Sequence, residues 1–507
     1  MLMLAGPAGA AASPRGSAGR SVTVVGYNSE PALRNLLAAS GGRVVRWIRP
    51  LHVAVVKSPP AALELLSGLP GIRYAEQPVA RHELVDPALS AASVPGGAFE
   101  WQYAAARENL VPAAVGQAAS TVTIAVLDTG ADLSAPDIAA KSPATWSVRS
   151  GSTDVTDYQG HGTFVASLAA GSPSNGEGVA GFGGGARLLA VQAAAPDGTI
   201  SDVGESAAIV YAVDNGAKII NMSFGGPFSS ATEQSAVAYA AAHDVLLVAA
   251  AGNSGQSGNF PSYPAALLQP IGSNGQGGIG LAVAATDLSG SRAAFSNYGS
   301  YISLAAPGDD VFGALSSNSD PAIWPRQALP GSTAGLYGYA SGTSFSSPEV
   351  AGAAALVWAA NPALKATDVA EILKQSATGS GVWNEETGYG NLDVATAVAR
   401  AQRMTVTTLA AGLKLEIRVS ATRGLNRLLT GRFNLVSTTI RRGGRKLVLE
   451  SLERRSWRRV ATATTSVAGL ATWRVTLRRG KYKLRARYAG STDIAPATSR
   501  VLVLRVR

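Results

Sequence analysis

Three short stretches of the chain carry residues that could do nucleophilic chemistry together. Val126-Leu127-Asp128-Thr129-Gly130 reads as a buried strand ending in a carboxylate and a glycine turn. His161-Gly162-Thr163 opens a helical pattern, and Gly342-Thr343-Ser344-Phe345-Ser346-Ser347-Pro348 opens a second one that runs to Ala360. A serine hydroxyl is a weak nucleophile until a base takes its proton. An imidazole serves as that base best when a carboxylate fixes its tautomer and stabilises its charged form. At a helix N-terminus, Ser344 also gains unpaired backbone N–H groups that favour developing negative charge. Singly, each residue has an ordinary reading: strand-end aspartates close turns, histidines beside glycine are mostly structural, and serines before helices are mostly N-caps. The combination is far more specific than any member.

The elements that must position these residues are legible in outline. Residues 121–398 alternate apolar strands with Ala-rich helices; 121–127, 187–194, 218–221, 245–251 and 279–285 are near-continuously apolar, as expected for a parallel sheet covered on both faces. The expectation is α/β, a doubly wound, mostly parallel sheet whose chemistry sits beyond the C-terminal strand ends. Residues 21–84 read strand, helix, strand, helix, strand, with single strands over 44–57 and 73–84, which predicts a ferredoxin-like α+β domain. The helix between them is expected at 60–69. Residues 85–100 read as a linker and 101–402 as the α/β domain. Residues 405–507 return to short alternating segments (414–419, 446–452, 471–477, 482–488) separated by turns such as Arg442-Gly443-Gly444, which predicts an all-β sandwich.

Composition sets bounds. At 507 residues the chain is too long for one core, and 46% apolar against 15% charged residues marks it as globular. With no cysteine, disulfides, thiolate zinc sites and cysteine nucleophiles are excluded. No run of about 18 apolar residues occurs uninterrupted, the stretch ending at Ala360 being broken by Glu349, so no membrane span is expected. Residues 1–20 read as a truncated signal-like segment in which a few apolar residues run into Ala10-Ala11-Ala12, so a secreted or cell-surface location is expected. The net charge of +10 is unevenly placed. Residues 401–507 hold 24 Lys and Arg against 4 Asp and Glu, a net of +20, leaving −10 for the rest. That basic domain reads either as an ordinary solvated surface or as a holder of an anionic surface such as a cell-wall polymer; nucleic acid is not expected, since no nucleic-acid motif accompanies the charge.

The three segments resemble the Asp-Thr-Gly, His-Gly-Thr and Gly-Thr-Ser signatures of the subtilisin family of serine peptidases, in that family's order, over roughly residues 98–400. The resemblance implies a triad of Asp128, His161 and Ser344 acting on polypeptide substrates. Ala250-Ala251-Gly252-Asn253-Ser254 resembles the oxyanion segment, which implies Asn253 as a donor to the tetrahedral oxyanion. Asn221-Met222-Ser223-Phe224-Gly225-Gly226 resembles the strand that pairs with extended substrate. Ser223, Phe224, Gly225, Ala251 and Gly252 are then the implied substrate-binding residues; none is charged, so an apolar residue is expected before the scissile bond. No cofactor is required. A structural calcium is the one ion the resemblance brings up, through Asp137 and Asn175. Residues 21–84 resemble the family's inhibitory propeptide, which implies an intramolecular inhibitor removed by self-cleavage. Phe345, Phe164 and Glu349 depart from the family pattern: methionine, a second histidine and a histidine are common there. Residues 482–491 resemble bacterial immunoglobulin-like modules.

Rival readings are weaker. An α/β-hydrolase would need glycine where Ser346 stands and a different triad order. The glycines at 181 and 183–185 precede a strand instead of opening a helix after one, so they lack the context of a dinucleotide fingerprint. A catalytically dead binding module is disfavoured by the presence of all four catalytic residue types.

Overall fold

A computed structural model describes residues 21–58, 69–84, 99–327 and 336–404, and most of 414–506. The signal-like segment 1–20, the expected helix at 60–69, nearly all of the linker and the Arg442-Gly443-Gly444 turn lie outside the described residues. The chain divides into two compact units, residues 1–404 and 405–507.

The N-terminal domain is a four-stranded antiparallel sheet in the order β2-β3-β1-β4, built from β1 (Ser21–Tyr27), β2 (Arg43–Ile48), β3 (Val53–Ser58) and β4 (Ile72–Glu76). Helix α1 (Glu30–Ser40) starts at Ser29, whose hydroxyl accepts from Ala32 N–H, and stops at Gly41, which adopts φ 69°. Period-two alternation divides the sheet. Val25, Tyr27, Ala54 and Val56 pack on Leu33 and Leu37 of α1, while Val24, Val53 and Val55 join the core of the large domain. The expected single strand at 44–57 is a β2–β3 hairpin, because Pro50 interrupts it with a 3₁₀ turn. The strand expected at 73–84 is also two elements. Its first part, β4, completes this sheet, whereas β5 (Ala80–Glu83) pairs with the large domain.

The large domain is built on a seven-stranded sheet, β14-β13-β12-β10-β6-β8-β7, parallel throughout. Its strands are β6 (Thr123–Asp128), β7 (Ala144–Ser147), β8 (Arg187–Gln192), β10 (Ile219–Met222), β12 (Leu246–Ala250), β13 (Gly280–Thr286) and β14 (Leu304–Pro307). The chain leaves β6 toward β7 and β8 on one side and continues through β10 on the other. This switch point opens a crevice beyond the carboxyl ends of β6 and β10. Helix α2 (His161–Ala170) packs beside β6, α3 (Asp202–Asp214) packs against α4 (Ala231–Ala242), and α5 (Thr343–Ala360) runs through the core, buried from Thr343 to Trp358. Small alanines and Gly352 let α5 pass there: a Cβ at Gly352 would stand 2.6 Å from the Phe182–Gly183 backbone. Two short strands, β9 (Ile200–Ser201) and β11 (Phe224–Gly225), flank the crevice.

The C-terminal unit is all-β, as expected. Strands β15 (Lys414–Arg423), β16 (Asn426–Asn434) and β19 (Leu470–Thr476) form one antiparallel sheet. Strands β17 (Lys446–Glu453), β18 (Ser456–Thr464), β20 (Gly480–Tyr488), β21 (Ala497–Thr498) and β22 (Leu502–Val506) form the other. Trp473 and Val475 from the first sheet pack against Leu447, Leu449, Leu484 and Ala486 from the second.

Candidate active site

Asp128 is the last residue of β6 and His161 the first of α2; both are buried, with His161 Nδ1 2.7 Å from Asp128 Oδ1. Backbone geometry makes that contact. Gly162 lets α2 approach the turn after β6, since a Cβ there would lie 2.3 Å from the Gly130 carbonyl. Asp157, which the sequence reading missed, ties the two elements together. Its Oδ1 accepts from Thr129 Oγ1 and the Gly160 N–H (2.8 Å each), and its Oδ2 from the Thr163 N–H (2.8 Å) and hydroxyl (2.6 Å). An N-terminal carboxylate of this kind satisfies orphan helix donors and complements the dipole. The available signal was an aspartate four residues before His161 in a polar loop.

Ser344 is the second residue of α5. Pro348 lacks the N–H that would bond to the Ser344 carbonyl, and Ser223 Oγ donates to that carbonyl instead, at 2.7 Å. Asn253 is held from the other side: Thr343 donates its N–H (3.0 Å) and hydroxyl (2.8 Å) to Asn253 Oδ1, which leaves Nδ2 pointing into the crevice. Thr343 therefore fixes the orientation of the Asn253 amide, and is visible in the sequence only as the middle of Gly-Thr-Ser.

The crevice is filled by the chain's own N-terminal domain. Strand β5 lies between β11 and β9, antiparallel to both, with Glu83 opposite Phe224, His82 opposite Gly225 and Arg81 opposite Ile200. Leu84 follows: Asn253 Nδ2 donates to its carbonyl at 2.7 Å, and its N–H donates to Ser344 Oγ at 3.1 Å. Its side chain lies against Gly225, where an added Cβ would stand 3.3 Å from Leu84 Cδ1 and 2.0 Å from Ser262 Oγ. Of the expected substrate-binding residues, Ser223, Phe224 and Gly225 thus contact Ser344 or the bound strand, while the Ala251 carbonyl is taken by Asn297 and Tyr301. Gly252 adopts φ 112° and packs on Asn297 and Ser262. A second anchor lies at α4, where Glu76 accepts from the Ala231 and Thr232 N–H groups, at 3.0 Å each.

In this arrangement Ser344 Oγ donates to the Ser223 carbonyl at 2.7 Å, and His161 Nε2 has no hydrogen-bond partner among the described residues. Burial lowers the His161 pKa, but the Asp128 carboxylate outweighs it and Glu83 and Asp157 add to it, so the imidazole is held at about 9. Burial raises Glu83 to about 7, despite His161 and with Asp128 and Asp157 adding. Two of the departures from the family pattern pack on each other: the Phe345 ring lies 4.7 Å from Phe164 and 5.6 Å from His161, with Trp324 closing the cluster. Phe345 is a wall behind the imidazole. Glu349 is fully buried, and burial alone raises its carboxyl well above its ordinary value.

The structure brings Asp137 and Asn175 together, but as a hydrogen-bonded pair. Asn175 Nδ2 donates to Asp137 Oδ1 (2.9 Å) and Tyr337 OH to Oδ2 (3.0 Å). Calcium requires 6–8 oxygen ligands. One carboxylate already engaged by two donors does not fit the ion, and no group of three or more His, Cys, Asp or Glu placed to hold a metal occurs among the described residues.

Residues 119–390 match the family model described as the subtilase family, and residues 20–77 match the fervidolysin N-terminal prodomain. The thermophilic serine proteinase of Bacillus sp. (strain AK1) is 35% identical over 280 residues, 54% of this chain and 61% of that protein. The alkaline protease of Alkalihalobacillus alcalophilus is 35% identical over 349 residues, 68% of this chain and 80% of that protein. The crystal structure of fervidolysin from Fervidobacterium pennivorans, described as a keratinolytic enzyme related to subtilisin, superposes with a TM-score of 0.64 at 23% identity. It covers 94% of this chain and 72% of that one, a likeness of fold.

Proposed function

The chain belongs to the subtilase family of serine proteases, and on that premise we propose that it hydrolyses extended polypeptides through an acyl-enzyme on Ser344. The observation that carries this reading is Leu84: its carbonyl sits on Asn253 Nδ2 and its N–H on Ser344 Oγ. His161, held by Asp128, takes the Ser344 proton as the hydroxyl attacks the substrate carbonyl and later returns a proton to the leaving amine. Asn253 Nδ2 and the Ser344 N–H, which has no intrahelical acceptor in the first turn, stabilise the oxyanion. The N-terminal domain lies in the cleft as a substrate does, with Leu84 on the acyl side of the scissile bond, so it inhibits until that bond is cut. The apolar Leu84 against Gly225 supports an apolar residue at that position in substrates. Self-cleavage then leaves Val85 as the new N-terminus. Purified wild type should show that N-terminus while Ser344→Ala stays full length; equal maturation of both would sink the proposal.

Export and surface retention belong to the same reading. No helix among the described residues is long and apolar enough to cross a membrane. On the basic domain, Glu450 offsets Arg485 and Arg487 (2.7 and 2.9 Å), and Arg458, 74% exposed, stands 3.7 Å from Glu453. We assign this face to an anionic cell-wall polymer. Wall association of the full chain should fall steeply as the Debye length shrinks from ~10 Å at 0.1 M salt to ~3 Å at 1 M. Salt-independent association would refute an electrostatic anchor.

A further inference from the structure

The side chain of Arg81 points away from the catalytic residues into a closed socket of the large domain, where it is 0% exposed. Its Nη2 lies 2.9 Å from Glu233 Oε1 and its Nε 3.4 Å from Glu205 Oε2, and both carboxylates are themselves fully buried. Glu205 comes from the first turn of α3 and Glu233 from the first turn of α4, so two packed helices aim one acid each at the same point. Gly226 leaves the entrance open: a Cβ there would lie 2.9 Å from the Ala80 carbonyl and 3.3 Å from Arg81 Cδ. Beside it, Asp202 accepts the Val79 N–H at 3.0 Å and its own N–H donates to the Val79 carbonyl, which fixes the backbone that delivers Arg81.

Two buried acids that face each other are costly without a cation. Burial and Glu233 push the Glu205 carboxyl well above its ordinary range, with Arg81 working against them. Among the described residues, no N–H of the large domain donates to any of the four carboxylate oxygens, and the two acids lie within hydrogen-bonding reach of each other. Their partner is Arg81, a residue of the segment that leaves on maturation. The mature enzyme therefore keeps a socket shaped and charged for a guanidinium, placed by β9 and β11 at a fixed distance from Ser344.

We propose that Glu205 and Glu233 form an acidic specificity subsite that selects arginine at the fourth residue before the scissile bond. The proposal rests on reading Leu84 as the residue on the acyl side of that bond. Counting back from Leu84 through Glu83 and His82 brings Arg81 to the fourth position. Substrates are then polypeptides with arginine at that position and an apolar residue such as leucine at the bond. Arginine is favoured over lysine because its planar fork reaches both acids, whereas an ammonium is a single point charge.

The test uses matured enzyme, titrated with a fluorophosphonate to count active sites, and fluorogenic peptides that end in leucine and differ only at the fourth position. Arginine should exceed methionine in kcat/KM on the order of 10²-fold, the effect of losing a buried charged contact. Lysine should fall between, and glutamate should be worst. In Glu205→Gln/Glu233→Gln the ratio of arginine to methionine should collapse to roughly 1 to 5. If that variant fails to fold, the wild-type series decides alone. Equal rates for arginine and methionine, or a preference for glutamate, overturn the subsite. Cleavage that places arginine elsewhere than fourth, read by mass spectrometry of the products, overturns the register. No cleavage and no labelling of Ser344 would instead overturn the serine-protease reading, and the subsite with it.

Discussion

Asn253→Ala isolates one interaction whose worth the geometry lets us estimate. The side chain offers a single N–H donor to the carbonyl at the reaction centre, at 2.7 Å, and spends its oxygen on two bonds from Thr343. The donor is thus oriented before charge develops, and the hydrogen bond strengthens as the carbonyl oxygen becomes an oxyanion. Removing such a donor costs about 10²–10³ in turnover, roughly 2.7–4 kcal/mol of transition-state stabilisation. Thr343→Val should do less. It removes the 2.8 Å hydroxyl bond but keeps the backbone bond at 3.0 Å, so a loss of about 5- to 13-fold follows from one neutral hydrogen bond of ~1–1.5 kcal/mol. The assay is steady-state hydrolysis of a leucine peptide by enzymes normalised to fluorophosphonate-reactive sites. The loss should fall on kcat with KM little changed, because the interaction matters most in the transition state. A rise in KM at constant kcat would show that Asn253 only binds substrate. Thr343→Val as damaging as Asn253→Ala would show that the threonine does more than orient the amide.

Phe345→Met should leave activity largely intact while lowering stability by about 1 kcal/mol, since a near volume-conserving change in a buried aromatic cluster loses ring contacts without opening a large void; thermal unfolding of the Ser344→Ala background reads this. Self-processing of the precursor should accelerate as pH rises from 7 toward 9, because His161 is held at about 9 and only its neutral form can accept the serine proton. Glu83→Gln should move that rise to lower pH by removing a carboxylate that supports the imidazolium, and identical profiles for the two proteins would refute the coupling.

The parts of this structure that were legible were those whose signal is local. Strand β6 and its neighbours read clearly because strands covered on both faces are apolar throughout, and Asp128, His161 and Ser344 stood out as candidates because each sits in its own short motif. Strand β7 was missed because Ala144-Thr145-Trp146-Ser147 is a short edge strand with half its residues polar. Strand β14 was missed because Leu304-Ala305-Ala306-Pro307 ends in proline, an edge-strand residue. The boundary between β4 and β5 could not be read, since what divides them is a partner: one completes a sheet with β1, the other with the large domain. Glu205 and Glu233 gave no signal at all. Each is an acid in the first turn of a helix, a position where carboxylates are ordinarily solvated partners of the dipole, and only the fold shows them buried and facing one guanidinium.

On the proposed reading, two features keep the active site idle in this arrangement. The Ser344 hydroxyl is committed to the Ser223 carbonyl, and turning it toward His161 forfeits one neutral hydrogen bond, about 1 kcal/mol, partly restored by the bond it then makes. The imidazole must also be neutral. With His161 held at about 9, its charged form predominates at pH 7. The Asp128 carboxylate does most to keep that proton in place, and Glu83, a residue of the strand in the cleft, adds to it. On the proposed maturation, cutting after Leu84 and releasing β5 takes that carboxylate away from the imidazole, and it also relieves the burial that lowers the His161 pKa, so the two effects of release act in opposite directions. Departure of the N-terminal domain then acts on activity first by clearing the crevice for substrate.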